Sequence, residues 1–121
     1  MIARVIVVLS FLLTPVARPS AADTASPATR ASGAELFNPH CGICHLQMGP
    51  GTIMLGRRLG PDHALLDERL DLDAAYIKQV VRNGIGGMPP QTRVDLTDNE
   101  LDRIAGYLTR PESERKPHGG N

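Results

Sequence analysis

The stretch "PHCGICHLQM", Pro39 to Met48, holds both cysteines of the 121-residue chain, with a histidine directly after the second. Two thiols only three positions apart close a very short loop, so a disulfide between them takes little entropy from the unfolded chain. Such pairs serve chemistry more often than stability. A redox pair of the thioredoxin kind sits beside a strand–helix unit, and no strand run flanks this stretch. A structural zinc ion takes four ligands in a tetrahedron. Two sulfurs and His45 supply three, and the adjacent sulfur and imidazole do not easily close one together.

What remains is Cys-x-x-Cys-His as the attachment site of a c-type haem. Cys41 and Cys44 would carry one covalently bound haem c through thioethers, and His45 Nε2 would bind its iron. Helical geometry explains the spacing, because residues three apart share a face and the next points under the ring.

The N-terminus agrees with the compartment this chemistry needs. "MIARVIVVLSFLLTPVARPSAADTASPATR" has an arginine, an apolar run from Val5 to Leu13, and small residues at Ser20-Ala21-Ala22. That is the layout of a secretory signal, expected over residues 1–22, with export to the periplasm. The competing reading is an uncleaved membrane anchor. A span takes about 20 apolar residues, and Thr14-Pro15 and Arg18-Pro19 cut this run short. Thirteen Lys and Arg balance thirteen Asp and Glu, so no basic field points to nucleic acid or anionic lipid. Two Phe, two Tyr and no Trp are few bulky side chains for a small domain, whose core is thin in any case.

Outward from the motif, residues 23–32 are Ala, Thr, Ser and Pro and read as a flexible leader. Residues 33–110 read as one domain, and the charged, Gly-rich tail 111–121 reads as disordered. "GAELFNPHCGICH" predicts a short helix, a break near Asn38-Pro39, and a further turn bearing the motif. "LQMGPGTIMLGRRLGPDHALLDERL" reads as a long irregular loop with at most one short helix near residues 63–69, a length that wrapping a cofactor would explain. "DLDAAYIKQVVRNG" places Tyr76, Ile77, Val80 and Val81 on one helical stripe, started by Asp71 or Asp73 and ended by Gly84. "IGGMPPQTRVDL" is a second loop. Thr97-x-x-Glu100 is a capping box, followed by Leu101, Ile104, Ala105 and Leu108 at helical spacing. No strand, repeat or heptad pattern is present, so the fold class is all-α, with three to five short helices.

From about Gly33 to Leu108 the chain resembles the class I c-type cytochromes. "CGICH" is that family's haem motif. Gly33-x-x-x-Phe37 resembles its first helix, where the glycine lets the last helix cross closely. "IAGYL", Ile104 to Leu108, resembles the last helix, with Tyr107 as the aromatic that meets Phe37. "GGMPP" resembles the distal-ligand segment, which implies Met88 as the second axial ligand of the haem iron.

Met88 also has its own chemistry. A neutral thioether opposite imidazole raises the haem potential relative to harder ligands. Gly86-Gly87 allow close backbone approach, and Pro89-Pro90 stiffen the loop. The commoner use of Met is as a core gap-filler; Met54 and His63 are the competing ligands, with Met54 in "TIML" looking like an apolar wall. Many relatives have a proline carbonyl that accepts from the proximal imidazole; here either Pro50 or a carbonyl near Thr52 or Ile53 is expected in that place, with the second favoured. Arg57 and Arg58 are candidates for pairing with a haem propionate, against the alternative of solvated surface arginines. Lys78, Arg82 and Arg93 are candidates for a positive rim that steers an acidic partner.

The resemblance implies an electron carrier and not an enzyme, with redox-protein donor and acceptor. "VRNGIGGMPP" looks similar to cytochrome subunits of periplasmic flavoprotein dehydrogenases. The other class is a haem-based sensor or peroxidase-like protein, which requires a labile sixth site.

Overall fold

The computed structural model describes residues 31–115. The expected signal over residues 1–22 and most of the expected leader lie outside them. Four α-helices carry the fold: α1 Gly33–His45, α2 Pro50–Leu59, α3 Ala74–Asn83 and α4 Asp98–Leu108. Short 3-10 turns cover Pro61–His63, Leu66–Glu68 and Glu112–Glu114. Among the described residues there is no strand beyond an isolated bridge between Ile85 and Met88, and no helix is long and apolar enough to cross a membrane.

The core forms where α1 and α3 meet α4. Leu36, Phe37, Ile77, Val81, Leu96, Leu101, Ile104, Ala105 and Leu108 make one buried cluster. Phe37 and Tyr107 meet with ring centroids 5.8 Å apart at a tilt of 46°. A Cβ on Gly33 would lie 2.2 Å from the Arg103 carbonyl oxygen and 2.6 Å from Tyr107 Cβ. Only glycine permits α4 to cross this closely, as the sequence implied. α3 starts on Asp73, whose carboxylate accepts from the Tyr76 amide, and ends on Gly84 at φ 74°. The Thr97–Glu100 capping box starts α4.

Several expectations need correction. α1 does not break at Asn38-Pro39; it runs unbroken to His45 with Pro39 inside it. An internal proline removes one backbone bond and crowds the preceding turn, a cost of about 3 kcal/mol. Packing overrides it, because Leu36 and Phe37 before the proline are buried and Cys41 after it packs against the same core. A Ser32–Glu35 capping box also holds the helix start, so Ser32 belongs to the domain and not to the leader. Second, Pro50–Leu59 is a ten-residue helix where irregular loop was expected. Third, Tyr76 leaves the apolar stripe and is 52% exposed, while Ile77 and Val81 are buried. Within the tail expected to be disordered from Pro111, Glu112–Glu114 form a 3-10 turn, and the residues after Arg115 lie outside the described ones. Arg115 follows that turn and donates to the carbonyls of Asp67, Leu108 and Arg110.

Candidate functional site

Helix α1 ends in the motif, so Cys41, Cys44 and His45 follow one another at positions i, i+3 and i+4 on its last turns. Both cysteines are free and partly buried. Burial, and then the neighbouring Cys44, pushes the Cys41 thiol up to about 11. A thiol held protonated at neutral pH is a poor nucleophile, which argues against a thiol–disulfide redox pair. No group of three or more His, Cys, Asp or Glu among the described residues could hold a metal ion, which argues against zinc.

The chain turns back immediately after His45 and packs on it. The Leu46 amide donates to the Gly42 carbonyl at 2.9 Å and the Gly49 amide to the Leu46 carbonyl at 3.0 Å. Met48 takes a positive φ of 65° to make this turn, an unfavourable conformation for a residue with a Cβ. Pro50 then opens α2 at its first position, where the missing N–H costs nothing. A Cβ on Gly51 would lie 2.8 Å from the Cys44 carbonyl oxygen, 2.9 Å from His45 Cε1 and 3.1 Å from His45 Nδ1. Thr52, buried, donates from Oγ1 to the Leu46 carbonyl at 2.9 Å. The His45 imidazole is thus clamped between two helices. Burial lowers its pKa, which keeps the ring neutral, the form that binds metal. Its Nδ1 is buried with no hydrogen-bond partner. Neither Pro50 nor the favoured Thr52 or Ile53 carbonyl accepts from it in this structure.

Met88 comes from a different kind of structure. The Ile85 amide donates to the Met88 carbonyl at 3.1 Å and the Met88 amide to the Ile85 carbonyl at 2.9 Å. Gly86 (φ 57°) fills the first central position, as a primed hairpin turn requires. Met88 is half-buried against the core cluster. The Met54 side chain stands 3.8 Å from where a Cβ of Gly87 would be, so α2 faces the Met88 turn through that side chain. Met54 itself is 58% exposed.

Arg57 and Arg58 lie exposed on the last turn of α2. His63 is exposed in a 3-10 turn, near the Arg69–Asp71 pair. Lys78 pairs with Asp102 at 3.0 Å, and Arg82 and Arg93 both pair with Asp98 at 2.8 Å. The expected positive rim is therefore paired with acids of this same chain.

A family model described as "Cytochrome C oxidase, cbb3-type, subunit III" matches residues 28–108. The chain belongs to the cytochrome c family. Among its relatives, the 4-cresol dehydrogenase [hydroxylating] cytochrome c subunit of Pseudomonas putida is 36% identical over 79 residues, 64% of this chain and 58% of that subunit. The chain therefore spans less than two thirds of that relative's length. Chloroplastic cytochrome c6 of Chlamydomonas reinhardtii is 33% identical over 110 residues, 89% of this chain and 68% of that protein. Cytochrome c6 of Euglena viridis is 34% identical over 83 residues, 64% of this chain and 86% of that protein. A chain in the crystal structure of p-cresol methylhydroxylase with substrate bound superposes with a TM-score of 0.50 at 33% identity, covering 67% of this chain and 93% of that one. The cofactor of this cytochrome is a covalently attached haem c, and its relatives are electron-transfer cytochromes.

Proposed function

We propose that this cytochrome carries single electrons between redox proteins of the periplasm through a haem c with His45 and Met88 as axial ligands. Cys41 and Cys44 form the thioethers. When bound, the haem supplies a one-electron iron couple. The protein holds His45 neutral and fixed between α1 and α2, presents a soft sulfur from the Met88 turn, and brings Met54 up beside that turn. The single observation that carries this reading is the donor set: a clamped, neutral imidazole on the helix bearing both free thiols, and a thioether in a turn that two glycines and two bridge hydrogen bonds define. Arg57 and Arg58 are the proposed partners of a haem propionate. Export through residues 1–22 delivers the chain to the compartment where c-type haem is attached.

The likeness to a dehydrogenase cytochrome subunit supports a dehydrogenase as the electron donor. Two strong ligands leave no open coordination position, so catalysis at iron is not part of this function. The test is spectroscopic. The ferric protein should show a far-red sulfur-to-iron band, and the reduced protein should not respond to carbon monoxide. Met88→Ala should lose the band and bind carbon monoxide, while Met54→Ala should keep the band. The reverse pattern would transfer the ligand to Met54; a wild type that binds carbon monoxide would favour the sensor or peroxidase reading.

A further inference from the structure

Arg82 has the chemistry of a surface cation but is placed as a fastener. It lies in the last turn of α3 with its side chain only 16% exposed. Its Nη1 donates to the carbonyls of Gln91 at 3.1 Å and Thr92 at 3.3 Å. Its Nη2 donates to the Leu96 carbonyl and to Asp98 Oδ1, both at 2.8 Å. One guanidinium thus gathers three backbone carbonyls from the segment that follows Met88, which only a planar fork with several donors can do. An exposed ion pair alone would contribute little, but these bonds run to backbone from a largely covered group.

Gln91 completes the attachment. Its amide donates to the Val81 carbonyl at 2.8 Å, and its Nε2 donates to the His40 carbonyl at 3.3 Å. His40 directly precedes Cys41, so this bond ties the segment after Met88 to the helix that bears the haem motif. Pro89 and Pro90 stand between Met88 and Gln91 and have few backbone freedoms, so a fixed Gln91 constrains where Met88 sits.

We infer that Arg82 and Gln91 are positioning residues for Met88, fastening the segment 91–96 so that the thioether stays at the sixth position of the haem iron. This rests on Met88 being that ligand. Releasing the segment lets the sulfur leave more often, and an added ligand binds only the released form. Its apparent affinity then rises in proportion to the population of that form.

Imidazole titration of the ferric holoprotein, followed by loss of the far-red band, measures this directly. Arg82→Lys keeps a charge opposite Asp98 but loses the fork, and should bind imidazole about tenfold more tightly than wild type, as expected for one lost charge-assisted bond. Gln91→Ala should bind it about threefold more tightly, and carries the test alone if Arg82→Lys fails to fold. Arg115→Ala removes bonds to the carbonyls of Asp67, Leu108 and Arg110 instead. It should lower the melting temperature and leave imidazole affinity unchanged, so it separates positioning from general stability. Wild-type affinity in both Arg82→Lys and Gln91→Ala, with the band present, overturns the inference alone. A wild type without the band, or a Met88→Ala protein that keeps it, overturns the ligand reading and this inference together.

Discussion

His45 closes a thirteen-residue helix, while Met88 sits in a turn of two glycines held by two backbone bonds. On the His45 side, packing does the positioning: Gly51 lies against the ring, Thr52 ties down Leu46, and the next helix begins five residues later. On the Met88 side, hydrogen bonds from Arg82 and Gln91 fasten the segment that follows it. A packed side chain can leave only if two helices separate. A hydrogen-bonded loop can open locally with the core intact, and such local openings lie at the low end of a protein's stability range. A lesion on the first side should therefore cost stability, and one on the second should cost ligation.

The largest expected effect removes what both sides share. With nine buried apolar side chains in the described core and few aromatics, the helices have little to bury except porphyrin. Cys41→Ala/Cys44→Ala should leave a largely unfolded chain. Circular dichroism on heating measures it, and a cooperative transition in that haem-free double variant would contradict the expectation.

Two glycine substitutions test the contrast itself. Alanine at Gly51 brings a Cβ against the Cys44 carbonyl oxygen and the His45 ring, at 2.8 and 2.9 Å. Overpacking of this kind costs about 1–3 kcal/mol, so Gly51→Ala should lower the urea midpoint while keeping the far-red band. Alanine at Gly84 meets the Met88 carbonyl oxygen at 2.7 Å and Pro90 Cδ at 3.1 Å, at a backbone φ of +74°. The strained backbone costs about 1–3 kcal/mol, and because it falls next to the Met88 turn the variant should also lose much of the band. If Gly84→Ala keeps its band while Gly51→Ala loses it, the contrast between the packed side and the fastened side fails.

The sequence shows one side of this contrast better than the other, for a physical reason. α3 and α4 follow local rules from end to end: Asp73 and Thr97 cap them, Gly84 stops the first, and Leu101, Ile104 and Leu108 keep the helical period. The Gly33 crossing and the Phe37–Tyr107 contact were legible because the family pattern names both. α2 was not legible. Pro50, Gly51 and Gly56 lower its intrinsic propensity by about 1 kcal/mol for each glycine, and only packing on Cys44 and His45 makes it a helix. Pro39 misled for the same reason, since its local cost is outweighed by core contacts distant in sequence. The Ser32–Glu35 capping box was present to be read and would have marked the start of α1. Arg82 looked like surface charge because nothing in a sequence shows that three carbonyls will converge on one guanidinium.

The smallest expected effect lies between the two sides, in the segment joining α2 to α3. Arg69 donates from Nε to Asp71 Oδ1 at 2.8 Å and from Nη2 to Asp71 Oδ2 at 2.6 Å. This two-bond pairing is the main cause that lowers the Asp71 pKa to about 2. A carboxyl whose folded pKa is depressed adds stability above its unfolded pKa of about 3.9, and that contribution is lost as the pH falls through the folded value. The Asp71 side chain is half exposed, so solvent screening limits the gain to about 0.5–1 kcal/mol. Asp71→Asn should therefore lower the urea midpoint slightly at pH 7 and by the same amount at pH 5. The gap to wild type should narrow below about pH 4 and close near pH 2. Both proteins should keep the far-red band at pH 7, because neither the Met88 turn nor the segment fastened by Arg82 touches this pair. A band lost in Asp71→Asn would mean that the joining segment, and not only the residues after Met88, holds the sulfur in place.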